Sequence, residues 1–165
     1  MRKIYLLIAA VTITLSGCAV RTGEGFAIYL TREDISPAQM EALSHVEIAE
    51  RPLISLADIV AYDAQTHKIT LTETAFRRIF QLGVPVSGKS FMVCVDKNPV
   101  YWGAFWTPLS SISFDGITIC KPLGEGDSPV ITLELGYPSP SFYSGDDPRV
   151  NAEIIESLEK SGKLD

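Results

Sequence analysis

The sequence predicts an α+β fold, a single domain with a largely antiparallel sheet and two to three amphipathic helices packed on it. Three observations lead there. Apolar, strand-like runs are joined by tight polar links at 63–67 and 96–99, and two later segments carry a one-sided apolar stripe at helical spacing. The link at 96–99 is also too short for the crossover that joins neighbouring parallel strands.

The elements follow in order. Gly25 to Thr31 is rich in the apolar and aromatic residues that suit a pleated surface and reads as the first strand. A helix is predicted from Ser36 to Ser44: Ser36 caps, Pro37 takes the first position, Gln39 completes a capping box and Ile35 staples against Met40. Val46 to Ala49 is a short strand, and Arg51-Pro52-Leu53 ends the pattern. Asp58 to Tyr62 and Lys68 to Leu71 form a hairpin around 63–67. From Thr72 onward Ala75, Phe76, Ile79, Phe80 and Leu82 share one helical face, with Gly83 placed for a left-handed cap.

Strands then resume at Phe91 to Val95 and Val100 to Trp106, with Asp96-Lys97-Asn98-Pro99 as the turn between them. Ile117 to Cys120 and Val130 to Leu135 complete the set. The tail is a helix capped by Asp147, opened by Pro148 and ended by Gly162, with Val150, Ile154, Ile155 and Leu158 as its buried stripe. On its wet face Glu156 and Lys160 are spaced to pair across one turn.

Ahead of the domain, Arg2 and Lys3 precede an apolar run from Ile4 to Leu15 that closes in Leu15-Ser16-Gly17-Cys18. A basic start, a short apolar stretch and small residues before a cysteine make an export signal with a lipidation box. These residues resemble the leader of bacterial lipoprotein precursors. The resemblance implies cleavage after residue 17 and acylation of Cys18; Ala19 in the next position implies delivery to an outer membrane where the cell has one. The chain then divides into a signal peptide at 1–17, a lipidated tether at 18–25 and one domain at 26–165. Its membrane partner is the bilayer that holds the acyl chains on Cys18, and the domain faces the periplasm or the exterior.

Charge narrows the partners further. The whole chain carries 14 Lys plus Arg against 20 Asp plus Glu, and loss of 1–17 removes two basic residues, moving the formal charge from −6 to −8. Such an acidic body is a poor match for nucleic acid or for anionic lipid. After cleavage Cys94 and Cys120 remain, both in strand-like runs within a compartment that permits disulfides. They pair with each other or stay as two buried thiols; neither has the basic neighbour or the spacing of a reactive or metal-binding cysteine.

Several patterns could carry chemistry. Gly83 to Ser90 satisfies GxxxxGK[ST], but it leaves a helix and enters a strand, the reverse of a phosphate loop. Tyr101-Trp102-Gly103-Ala104-Phe105-Trp106 places four aromatics in six residues of a strand. Alternation sends Tyr101 and Phe105 to one side and Trp102 and Trp106 to the other, so one set is core and the other is either covered or a stacking surface for a sugar or peptide. Gly145 to Arg149 has adjacent carboxylates without the alternating spacing of a calcium loop, and reads as helix capping. His45 and His67 stand apart with no ligand spacing, and Ser110, Ser111 and Ser113 have no base that the sequence identifies. No metal and no cofactor is expected, and no catalytic set is assigned.

From Lys68 to Cys120 the order is strand, Leu71-Thr72 into an amphipathic helix, Gly88-Lys89, an apolar strand ending at Asp96, an aromatic strand, then Phe114-Asp115-Gly116-Ile117-Thr118-Ile119. This succession resembles the head subdomain of the first periplasmic region of the protein-export protein SecD. It departs where Asp96 is followed by Lys97-Asn98-Pro99 rather than Gly. The resemblance implies a shared α+β module that contacts extended polypeptide. The expected function is therefore a lipid-anchored, non-catalytic envelope module that binds another envelope protein or an extended peptide. The alternative is a small-ligand or glycan-binding lipoprotein built on the strand 101–106.

Overall fold

The computed structural model describes residues 23–124 and 128–165; the leader and Cys18 lie outside the described residues. The chain is α+β, with two helices and a mostly antiparallel five-stranded sheet joined by a small three-stranded one. The large sheet runs β1 (Phe26–Leu30), β4 (Lys89–Val95), β5 (Asn98–Trp106), β6 (Phe114–Cys120) and β8 (Glu134–Tyr137), in the order β1-β4-β5-β6-β8. The small sheet is β2 (Ile59–Asp63), β3 (Lys68–Leu71) and β7 (Val130–Thr132). Leu133 alone separates β7 from β8, so one run of chain, predicted as a single strand, serves both sheets.

Both faces of the large sheet are apolar. On the inner face Phe26, Ile28, Phe91, Val93, Tyr101, Phe105, Ile117 and Ile119 are buried against the small sheet and the two helices. Helix α1 (Glu73–Gln81) contributes Ala75, Phe76 and Ile79, and α2 (Ala152–Lys160) contributes Ile154 and Leu158. Thr72 caps α1 by accepting from the amide of Ala75 at 3.3 Å. On the outer face Tyr29, Met92 and Cys94 lie under Ile35, Met40, Leu43 and Val46.

That outer cover explains the one predicted helix that does not form. Residues 36–44 hold only the short turns Pro37–Gln39 and Leu43–His45, with Met40 extended between them at ψ 131°. A nine-residue helix has little stability of its own. An open, extended path lets Ile35, Met40, Leu43 and Val46 all reach the sheet instead.

Other departures are local. Helix α1 leaves through an extended Leu82, and Gly83 does not take a left-handed conformation. Asp147 caps a single turn, Pro148–Val150, and Asn151 caps α2 itself; Val150, expected in the buried stripe, is 62% exposed because it precedes the helix. The β4–β5 link is a two-residue turn, with Asp96 (φ 52°) and Lys97 (φ 67°) both left-handed as a twisted hairpin requires. The side chain of Asp96 accepts from the amide of Gly25 at 2.7 Å and so ties that turn to the start of β1. Strands β5 and β6 are parallel, joined only by the helix-free segment 107–113, a pairing that the short-link pattern did not predict.

The register settles the cysteines. Cys94 stands opposite Pro99 and Cys120 opposite Trp106, at the two ends of β5 and about 23 Å apart at ~3.3 Å per residue. A disulfide needs Cα atoms within about 7 Å, so the possible pairing of Cys94 with Cys120 is ruled out and both are free thiols. Burial pushes the Cys94 thiol up to about 12 and the Cys120 thiol up to about 11, away from the reactive range. Without reductant, both cysteines are expected to label with a thiol reagent on unfolding, while Cys94 in the native protein reacts at least tenfold more slowly than a free peptide thiol. Recovery of a Cys94–Cys120 peptide in a non-reducing digest would contradict this register.

Candidate functional site

The aromatic strand does not form the stacking platform that alternation allowed. Tyr101 and Phe105 belong to the inner core, with Phe105 packed on Phe91 at a ring separation of 5.1 Å. Trp106 is fully buried on the outer face, stacked on Phe114 at 5.2 Å and tilted against Tyr137 at 5.7 Å. Gly88 is part of that seal: at φ +81° it lies so close that a Cβ would stand 2.2 Å from the Trp106 ring. Trp102 alone keeps an open edge, half-buried beside Phe114 at 5.6 Å. The ring of Phe114 lies over Gly116, where a Cβ would meet it at 2.4 Å. One row, Trp102, Phe114, Trp106 and Tyr137, thus runs across β5, β6 and β8, and sequence alternation within β5 saw only half of it.

Segment 107–113 packs beside this row, and Ser110 fastens it. Its hydroxyl donates to the carbonyl of Val86 at 2.6 Å and accepts from the amide of Ile112 at 3.1 Å, while its carbonyl accepts from the Tyr137 hydroxyl at 3.0 Å. Ser110 is therefore a structural clasp between the loops 82–88 and 107–113. Around it Leu109 is 82%, Val86 57% and Ile112 49% exposed. Neither loop contains a charged residue. Lys89, the lysine of the GxxxxGK[ST] match, lies in β4 and pairs with Asp34.

A second cluster gathers where the two sheets meet. His67 ends the β2–β3 hairpin in a left-handed conformation (φ 53°), after Asp63 has bound the amides of Gln65 and Thr66. It is buried, its Nδ1 lies 2.9 Å from the Tyr62 hydroxyl, and its Nε2 is 4.0 Å from Asp147 Oδ2. Arg149 grips Asp147 through Nε at 2.8 Å and Nη2 at 2.6 Å, and donates through Nη1 to the carbonyl of Leu133 at 2.6 Å. The Arg149 guanidinium holds Asp147 below the usual carboxylate range. Burial, aided by the same guanidinium, lowers His67 and keeps it neutral near pH 7. Burial also pushes Tyr62 up to about 12. These groups hold a strand junction; Asp147 is committed to Arg149 and serves the imidazole only at ion-pair distance.

Beside that junction two strands, β7 and β8, end their sheets. The outer edge of β1 is crossed by bridges from Ile54 and Ile48, and that of β2 by the tail, where Tyr62 bonds the backbone of Lys163 and Asp165. Strand β8 ends the large sheet with no strand beyond it among the described residues. Its free side borders a cleft of about 260 Å³ lined by Thr66, Leu135, Gly136, Ser139, Pro140 and Arg149. The Arg149 bond to Leu133 marks the inner end of this edge.

A cleft of about 660 Å³ opens at the other end of the sheet between Gly25, Asp96 and α2. Three of its charged groups are engaged locally: Lys160 holds Glu156 at 2.6 Å as the helical spacing predicts, and Asp96 holds Gly25. His45 lies on the surface beside Glu41 at 3.9 Å. No group of side chains suited to a metal ion occurs among the described residues, and no described helix is long and apolar enough to cross a membrane. Neither a protein-family model, nor a curated protein, nor a solved structure matches the chain.

Two outcomes follow from this geometry. Ser110→Ala removes the clasp and leaves the Val86 carbonyl and the Ile112 amide short of a partner, so it is expected to cost about 1 to 2 kcal/mol in urea unfolding; an unchanged midpoint would contradict the role. His67 binds a proton less readily folded than unfolded, so its contribution is complete above the unfolded value of about 6.5 and is lost as pH falls below it. The urea midpoint should fall between pH 7 and pH 5 more steeply for the native chain than for His67→Gln. Parallel profiles would refute the assignment.

Proposed function

We propose that this chain is a lipid-anchored, non-catalytic module of the cell envelope that binds an extended peptide segment of another envelope protein along the free edge of β8. The observation that carries the reading is the selective covering of edges. The chain crosses the outer edges of β1 and β2 with its own residues, whereas β8, a terminal strand like β7, has no strand beyond it among the described residues and borders a cleft, with the turn Pro140–Phe142 packed near Gly136. An extended peptide laid there gains main-chain hydrogen bonds for affinity, while alternate side chains enter the cleft for selectivity. Arg149 sets where such a peptide stops, because it already occupies the Leu133 carbonyl. The likeness of 68–120 to a module that contacts extended polypeptide supports the same reading, and the lipidation box supports the anchor. The stacking alternative is left with one edge of Trp102, since the other three aromatics of 101–106 are buried.

The test is site-specific photocrosslinking in intact envelopes. A photoreactive residue at Glu134, exposed on β8, is expected to capture a discrete envelope protein that the same residue at exposed Glu41 does not. Cys18→Ser should release the chain from the membrane fraction and cut that adduct at least several-fold. Equal adducts from both positions, or none from Glu134, would refute edge binding. Retention of the Cys18→Ser chain in a carbonate-washed membrane with its leader removed would refute the anchor.

A further inference from the structure

We infer that the charge-free loops 82–88 and 107–113 form a second, non-covalent membrane contact, in which Val86, Leu109 and Ile112 dip into the interfacial layer of a zwitterionic bilayer. Three observations carry it. The aliphatic side chains project from two loops that Ser110 clasps together, so the exposed apolar surface is preformed. The fourteen positions of the two loops hold no Asp, Glu, Lys or Arg in a chain that is 21% charged, so no ionic group has to be desolvated when they enter an apolar layer. Tyr137, an amphipathic side chain of the kind favoured at the water boundary of a bilayer, packs its ring on Trp106 and donates to the Ser110 carbonyl at the base of the loop.

Charge selects the lipid. An acidic body is repelled by anionic headgroups, so contact is confined to the face without charge and to bilayers without net charge. Geometry permits the contact together with an anchor. Val86 precedes β4 and Gly25 lies beside the far end of β4, about 20 to 25 Å away at ~3.3 Å per residue. Cys18 precedes Gly23 by five residues, a contour of at most about 18 Å, so a domain lying on its side brings both ends to one surface. This inference rests on the loops and not on the edge-binding reading; the anchor contributes only proximity.

The test reads depth directly. Full-length protein carrying Ile112→Trp is reconstituted into phosphatidylcholine vesicles, with or without bromine on the acyl chains, beside the unsubstituted protein as background for Trp102 and Trp106. Insertion predicts a blue-shifted added emission that brominated lipid quenches at least twofold, and loss of that quenching when Leu109→Glu is added. The Cys18→Ser background separates the two ideas: quenching that persists there supports the loops even where the anchor has failed. Emission unaffected by bromine overturns the inference. A blue shift without quenching, in protein that sediments as a dimer from detergent, overturns it in favour of a second copy of the chain.

Discussion

The constraint on which this fold depends is a sheet that is apolar on both faces. Strand β4 sends Phe91 and Val93 inward and Met92 and Cys94 outward, and all four are fully buried. A sheet that buries each face must find two covers. Helices and the small sheet supply one. The chain has no helix to spare for the other, so connecting segments do the covering: 31–50 over β1 and β4, and 107–113 beside β5, β6 and β8. Loops that serve as a layer must carry apolar residues, and those on their outer side remain in water. The exposure of Leu109 and Ile112 follows from that second role of their loop.

This is also why the sequence was legible in some places and not in others. Periodicity located α1, α2 and most strands, because alternation and the 3.6-residue stripe are properties of a single segment, but Val46 to Ala49, expected as a strand, makes only a bridge through Ile48. Thr72, Asp63 and the Glu156 and Lys160 pair were readable for the same reason. Residues 36–44 deceived, since cap, proline and capping box are local signals while the demand for an extended cover over Met92 and Trp102 is not. The run 130–135 read as one strand because nothing local announces that Leu133 passes between sheets. Cys94 and Cys120 shared a composition but stand at opposite ends of β5, a separation only register reveals. The candidate surfaces were the least legible. Phe114 and Tyr137 meet Trp106 from two other strands, Ser110 reaches Val86 and Tyr137 from a third stretch, and β8 is an edge by a strand order that no single segment announces.

Where the two sheets diverge, buried His67 sits among a phenol, a carboxylate and a guanidinium. A strand that changes partners leaves carbonyls without a ladder, and an unpaired buried carbonyl costs about 1 to 3 kcal/mol. Arg149 satisfies the one at Leu133 and brings its own charge, which Asp147 neutralises. Tyr62 and His67 then fill the remaining space as a neutral hydrogen-bonded pair. The cluster resembles acid–base machinery in composition, yet each member is explained by the cost of the junction: the guanidinium by the carbonyl, the carboxylate by the guanidinium, the lowered imidazole by burial beside both.

The direction of the sheet then divides the molecule chemically. At the end where β1 begins, Glu24, Asp96, Glu153 and Glu156 gather around the entry of the chain, with Lys97 and Lys160 paired among them. At the end where β4 begins the loop 82–88 carries no charge, and the uncharged segment 107–113 runs back from there to the start of the parallel strand β6. Surface charge keeps an acidic domain soluble and away from its own copies, so an end without it is where association is least opposed. An apolar end that only needed to shield Trp106 could have done so with Gly88, Phe114 and Tyr137, which already lie against the ring. Leu109 adds nothing to that shield, being almost wholly in water. Its exposed side chain is the group that the proposed bilayer contact would bury.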